Sequence, residues 1–193
     1  MKKDLQKYFI AFISIFFIAF TFNIEAQNQS SDREVKKTNI KYKKARALQA
    51  STARKMAQVY EALEVVDDKG EPDPDMETVL SILNELRRDM ANLKSYDRSV
   101  MWNAWAFVYF SDGKYDQAMD AYYNLINEPE VTIGLRVGAL LSLAQLHLVQ
   151  ENYKEGIELI LQWMNEVEKV TAQSYSLLGQ AYYQTGDFRK SVS

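Results

Sequence analysis

The sequence has no cysteine, so no disulfide can staple its fold and no amino-terminal cysteine can carry a lipid anchor. It has a single histidine, His147, which leaves no His/Cys set for a zinc-type site. Proline occurs three times and glycine seven times in 193 residues. With so few breakers, long helices are expected. Positive charge is not in excess: 23 Lys and Arg stand against 26 Asp and Glu, and the pI is about 5.3. That balance argues against a nucleic-acid binder. There is no phosphate loop, dinucleotide fingerprint or nucleophile elbow, and no alternating strand pattern of useful length. These absences predict an all-α, non-enzymatic chain with no cofactor and no metal.

What is present begins with a targeting pattern. Lys2, Lys3 and Lys7 precede the apolar run "YFIAFISIFFIAFTF", and "NIEAQ" follows with Ala26 suited to a cleavage site. Residues 1–26 therefore read as a secretory signal peptide, which predicts a periplasmic mature protein. The rival reading is an inner-membrane anchor, but the run of about 15 residues is short of the roughly 20 that span a bilayer. Residues 27–43 read as a flexible basic lead. The cations from Lys36 to Lys55 form a solvated face, or make weak contact with anionic lipid headgroups or an acidic partner.

A helix is expected over about 42–66, then a loop over "DDKGEPDPD", Asp67–Asp75. The loop's carboxylates do not make a calcium site of the EF-hand kind: Met76 stands six residues beyond Gly70, where a bidentate glutamate is required.

Beyond the loop the periodicity is helical and it repeats. Trp102, Trp105, Ala106 and Tyr109 share an i, i+3, i+4, i+7 spacing with Leu140, Leu143, Ala144 and His147, and with Tyr175, Leu178, Gly179 and Tyr182. A small residue stands at i+4 each time, where a large one would hold two helices apart. The three runs are followed by "SDGKY", "QENY" and "TGDF". Second helices open at Tyr115, Tyr153 and Phe188, and a weaker copy opens at Met76; the intervals are 39, 38 and 35 residues. A helix–turn–helix unit of about 34 residues with short insertions accounts for them.

"YSLLGQAYYQTGDFRKS" resembles the tetratricopeptide repeat, with its aromatic-x2-Leu-Gly-x2-Tyr run, Gly-Asp turn and aromatic start to the second helix. The resemblance covers residues 44–193, in units of about 44–94, 96–130, 132–169 and a partial 172–193. It implies a right-handed solenoid of about three and a half repeats whose first helices line a concave groove. On that basis the groove positions are Asn103, Phe107 and Phe110, then Leu141, Gln145 and Leu148, then Ser176, Gln180 and Tyr183. Their mix of aromatic, aliphatic and amide groups suits an extended or helical peptide. None is Lys or Arg, which disfavours clamping of a peptide carboxylate. Trp102, Trp105, Tyr109, Tyr122, Trp163, Tyr175 and Tyr182 are expected in the core, and His147 as a half-buried packing residue.

The whole span, from "YKKARALQASTARKMAQVYEALEVVD" to "LSLAQLHLVQENYKEGIELILQWM", is similar to the periplasmic tetratricopeptide proteins associated with the TonB/ExbB/ExbD system of gammaproteobacteria. This implies an accessory of energy-coupled outer-membrane transport, with TonB, ExbB or ExbD components as partners. The alternative is a scaffold for envelope assembly, serving outer-membrane protein insertion or peptidoglycan enzymes. The final unit carries few residues of its second helix, which predicts further repeats beyond Ser193 in the natural protein.

Overall fold

A computed structural model describes residues 47–191. The expected signal peptide and basic lead, the start of the first expected helix and the last two residues lie outside that span. Among the described residues there are eight α-helices, one 3-10 turn at Met90–Asn92 and no strand beyond a single isolated bridge. The helices are α1 (Ala50–Leu63), α2 (Met76–Arg88), α3 (Ser95–Ser111), α4 (Tyr115–Ile126), α5 (Ile133–Val149), α6 (Tyr153–Glu166), α7 (Ala172–Gln184) and α8 (Phe188–Ser191). None of them is long and apolar enough to cross a membrane.

Each helix packs on the next in sequence, and α3 also touches α5. The chain is thus a row of hairpins, α1–α2, α3–α4, α5–α6 and α7–α8, with the tightest packing inside the middle two. Their apolar stripes meet in one core. Val79, Leu83 and Leu86 come from α2, Trp102, Trp105 and Ala106 from α3, and Ala118, Tyr122 and Leu125 from α4. Leu140 and Leu143 add the α5 stripe, and Trp163 joins from α6. Each such aliphatic side chain contributes about 1.5–3 kcal/mol by leaving water. Ala106 and Ala144 are fully buried, as the close approach at i+4 requires. Gly179 fills the same register position in α7, and a Cβ there would stand 2.9 Å from the Ser191 carbonyl oxygen of α8.

The three short turns share one geometry. Gly113, Glu151 and Gly186 each stand two residues before the second helix with φ of 71°, 63° and 79°. In each turn the next amide reaches back five residues: Lys114 to Tyr109 at 2.8 Å, Asn152 to His147 at 2.8 Å and Asp187 to Tyr182 at 3.0 Å. This is the left-handed helix stop that glycine favours. Glu151 holds the same φ despite its Cβ.

The open ends of the middle hairpins are closed in a matching way. Arg98, in the first turn of α3, donates from Nε and Nη2 to Glu128 at 2.7 and 2.8 Å, and from Nη1 to the Leu93 carbonyl at 2.7 Å. Arg136, in the first turn of α5, donates from Nε and Nη2 to Glu166 at 2.8 and 3.1 Å, and from Nη1 to the Ile126 carbonyl at 2.8 Å. Both pairs are 30 residues apart, and the second lies 38 residues after the first. A planar guanidinium matches a carboxylate at two points, which fixes direction as well as distance.

The first hairpin is built differently. Its helix ends at Leu63, short of the expected 66, because Val66 bridges to Pro72 and the Asp73 amide bonds the Val65 carbonyl at 2.9 Å. The Asp67 carboxylate accepts from the amides of Lys69 and Glu71 at 2.8 and 2.9 Å, so it shapes the loop. Asp75 caps α2 by accepting from the Thr78 amide at 3.0 Å and its hydroxyl at 2.6 Å, which hold the Asp75 carboxyl below its ordinary pKa. A latch joins α1 to α3: the Gln49 amide donates to the buried Asp97 at Oδ1, 2.9 Å away, and the Lys94 amide donates to Gln49 Oε1 at 3.0 Å.

Candidate functional site

The nine groove positions inferred from the sequence fall on α3, α5 and α7, three on each, at matching turns of the first helix of three successive hairpins. Their exposure is not uniform. Asn103, Phe107, Phe110, Leu141, Gln145 and Leu148 are half-buried, whereas Ser176, Gln180 and Tyr183 are exposed. Phe107, Phe110 and Leu141 rest on the edge of the core. The Phe110 ring also meets that of Tyr115 at 5.7 Å, across the turn into α4. Leu148 is seated over Gly156 of α6, where an added Cβ would lie 2.6 Å from Leu148 Cδ2. These four apolar side chains therefore pack as well as present a surface. On α7, the Gln180 side chain donates to the Ser176 hydroxyl at 3.4 Å and Tyr183 meets Phe188 edge-on at 5.2 Å. Asn103 and Gln145 are the half-buried polar positions among the nine.

Of the aromatic residues expected inside, Trp102, Trp105, Tyr122 and Trp163 are buried. Burial pushes the Tyr122 phenol up to about 12, with a hydrogen bond to Ser142 acting in the opposite direction. Tyr109 and Tyr182 are half-buried. Tyr175 departs from the expectation, because it is 62% exposed. It stands near the start of α7, and the described part of α8 approaches that helix at Gly179, one turn further on.

His147 is more deeply placed than a half-buried residue. It occupies the register position of Tyr109 and Tyr182, it is 8% exposed, and its Nε2 pairs with the Tyr123 hydroxyl of α4 at 2.9 Å. Its Nδ1 has no hydrogen-bond partner among the described residues. Burial holds the imidazole below its ordinary pKa, while Glu155 pulls the other way.

A concave site also exists that the sequence reading did not find. An open cleft of about 270 Å³ lies where α2, α3 and α4 meet, lined by Arg87, Trp102, Tyr109, Asp120, Tyr123 and their neighbours on α4. None of the nine inferred groove residues lines it. No sequence pattern announces it, because Arg87 meets the α3 aromatics through tertiary packing of α2 on α3. Among the described residues, no three His, Asp or Glu side chains converge in a way that could hold a metal ion. No protein-family model matches the chain, and no curated protein matches it either.

Proposed function

We propose that the described hairpins form a tetratricopeptide-type solenoid that acts as a non-enzymatic scaffold for protein interaction. The observation that carries this reading is recurrence at one interval. The same left-handed turn and the same arginine–glutamate clamp return 38 residues apart in the middle hairpins, with a fully buried alanine at the same position of each first helix. Units that bury their faces only on their neighbours form extended arrays, and such arrays serve as binding surfaces. The first-helix positions Asn103, Phe107, Phe110, Leu141, Gln145, Leu148, Ser176, Gln180 and Tyr183 are the proposed surface for an extended or helical peptide. A fold of this kind does not by itself supply the partner.

For the partner we propose the TonB/ExbB/ExbD apparatus, with the chain exported to the periplasm as an accessory of energy-coupled transport. The resemblance of the mature segment and the amino-terminal targeting pattern support this. The test is affinity capture from envelope extracts with the exported protein, run beside an Asn103→Ala, Gln145→Ala variant. These two amides are half-buried polar groups with no fully buried side chain to lose, so the variant should keep its helicity and its melting temperature. Recovery of TonB, ExbB or ExbD components by the parent and their loss from the variant is the expected result. Equal recovery by both, or recovery of peptidoglycan synthases or the insertion machinery instead, would overturn it.

A further inference from the structure

The cleft between α2, α3 and α4 holds an unusual cation. The Arg87 guanidinium carbon lies 5.5 Å from the ring centroid of Trp102 and 5.6 Å from that of Trp105, and its Nη1 donates to the Tyr109 hydroxyl at 2.9 Å. Two buried indoles and a phenol thus fix a surface arginine. Stacking of this kind immobilises the planar fork before any ligand arrives. Among the described residues no carboxylate lies within ion-pair range of Arg87, and no cation lies within that range of Asp120, which lines the same cleft. The α4 wall around Asp120 is held in place too: Asn124 Nδ2 donates to the Asp120 carbonyl at 2.9 Å, and Tyr123 is tied to His147 at 2.9 Å.

One fixed positive group and one negative group, neither neutralised within the described protein, share a cleft of about 270 Å³. We propose that this cleft is a second binding site, for a short peptide segment with neighbouring acidic and basic side chains: the carboxylate pairs with Arg87 and the cation with Asp120. A polyanion such as a phosphate group would meet the Asp120 carboxylate. A sugar or base that stacks on aromatics would find the indole faces already covered by Arg87. A wholly apolar segment would bury both charges unpaired, which is costly. A peptide of mixed charge satisfies both ends, and the cleft has room for about two side-chain ends. The site uses different residues from the first-helix surface, so the two proposals stand or fall separately.

The test is amide and side-chain NMR on the isotopically labelled full chain, titrated with acetyl-Glu-Lys-amide, acetyl-Gln-Gln-amide and inorganic phosphate. The charged peptide should give saturable shifts at the Arg87 Nε, the indoles of Trp102 and Trp105, and the amides from Gln117 to Asn124. The neutral peptide should bind at least about tenfold more weakly, and raised salt should weaken the charged one. Asp120→Asn, a surface change that leaves the indole stack alone, should lower affinity about fivefold, and Arg87→Gln by at least as much. The proposal fails if the neutral peptide matches the charged one, if phosphate produces the same shifts with the same affinity, if shifts fall only at Asn103, Phe107 and Gln145, or if Asp120→Asn binds as tightly as the parent.

Discussion

The hairpins α3–α4 and α5–α6 are the same object made from different side chains. Where one has Trp102, Trp105 and Tyr109, the other has Leu140, Leu143 and His147. Where one turns at Gly113, the other turns at Glu151. The second helix of one carries Ala118 and that of the other Gly156, and Leu148 leans into the space left free. Yet the clamps agree atom for atom, Nε and Nη2 on a glutamate and Nη1 on a backbone carbonyl. The lesson is that core volume can be redistributed between facing helices, and even the turn residue can change, while the arginine–glutamate clamp that sets direction keeps its residue types. A core repacks if its volume is conserved. A bidentate ion pair has few substitutes, whereas the left-handed turn keeps its φ even where glutamate stands for glycine.

The comparison can be broken most severely in the core. Trp105→Ala and Leu143→Ala should each cost about 3–5 kcal/mol in chemical denaturation, because both leave a cavity at the same layer. A cost several-fold smaller at one of them would show that the two layers are not equivalent. Next come the clamps: Arg98→Ala and Arg136→Ala should each lower stability by about 1.5–3 kcal/mol, and by similar amounts. Costs well under 1 kcal/mol would reduce them to ordinary surface pairs. The turns come third. Glu151→Gly should raise stability by about 1 kcal/mol by relieving a left-handed backbone, while Gly113→Ala should lower it by a similar amount.

The smallest effect is in pH. His147 has a folded pKa below its ordinary value, so the unfolded chain takes up the proton first as pH falls. Its contribution to stability is complete above about pH 6.5, declines as pH drops from there and is fully lost below the folded value. It is the only histidine. His147→Tyr, which restores the residue of the other hairpins, should therefore flatten the stability curve between neutral and mildly acidic pH. An unchanged curve in that variant would place the pH response elsewhere.

Much of this architecture was legible from spacing. The anchors at Tyr115, Tyr153 and Phe188 open α4, α6 and α8 at their first residues. The small residues Ala106 and Ala144 are fully buried, and Gly179 stands where an added Cβ would meet α8. Both signals are local, and helical period and turn residues carry them. The clamps were equally present in the letters, since Arg98 and Arg136 share an interval with Glu128 and Glu166, but polar positions are not what a hydrophobic period detects. Val65 and Val66 read as the end of a helix because they are apolar, whereas the chain spends them on closing a loop against Pro72. The split of the proposed surface, with Leu148 turned into packing over Gly156 and Tyr183 left outside, depends on the neighbouring helix. So does the Arg87 cleft. Contacts between residues far apart in sequence leave no period to read.

The equal spacing of the two clamps makes the molecule a candidate for splicing without redesign. Removing residues 115–152 would join Lys114 directly to Tyr153, keep the glycine turn at Gly113, and place Glu166 as far along the chain from Arg98 as Glu128 now stands. The shortened chain would ask α3 to receive α6 in place of α4, aromatic ring against Trp163 where Tyr122 and Leu125 now fit. A length change by one whole unit is thus written into the chain as an in-frame exchange of neighbours, with the ion pair acting as the gauge that tells a correctly closed hairpin from a slipped one.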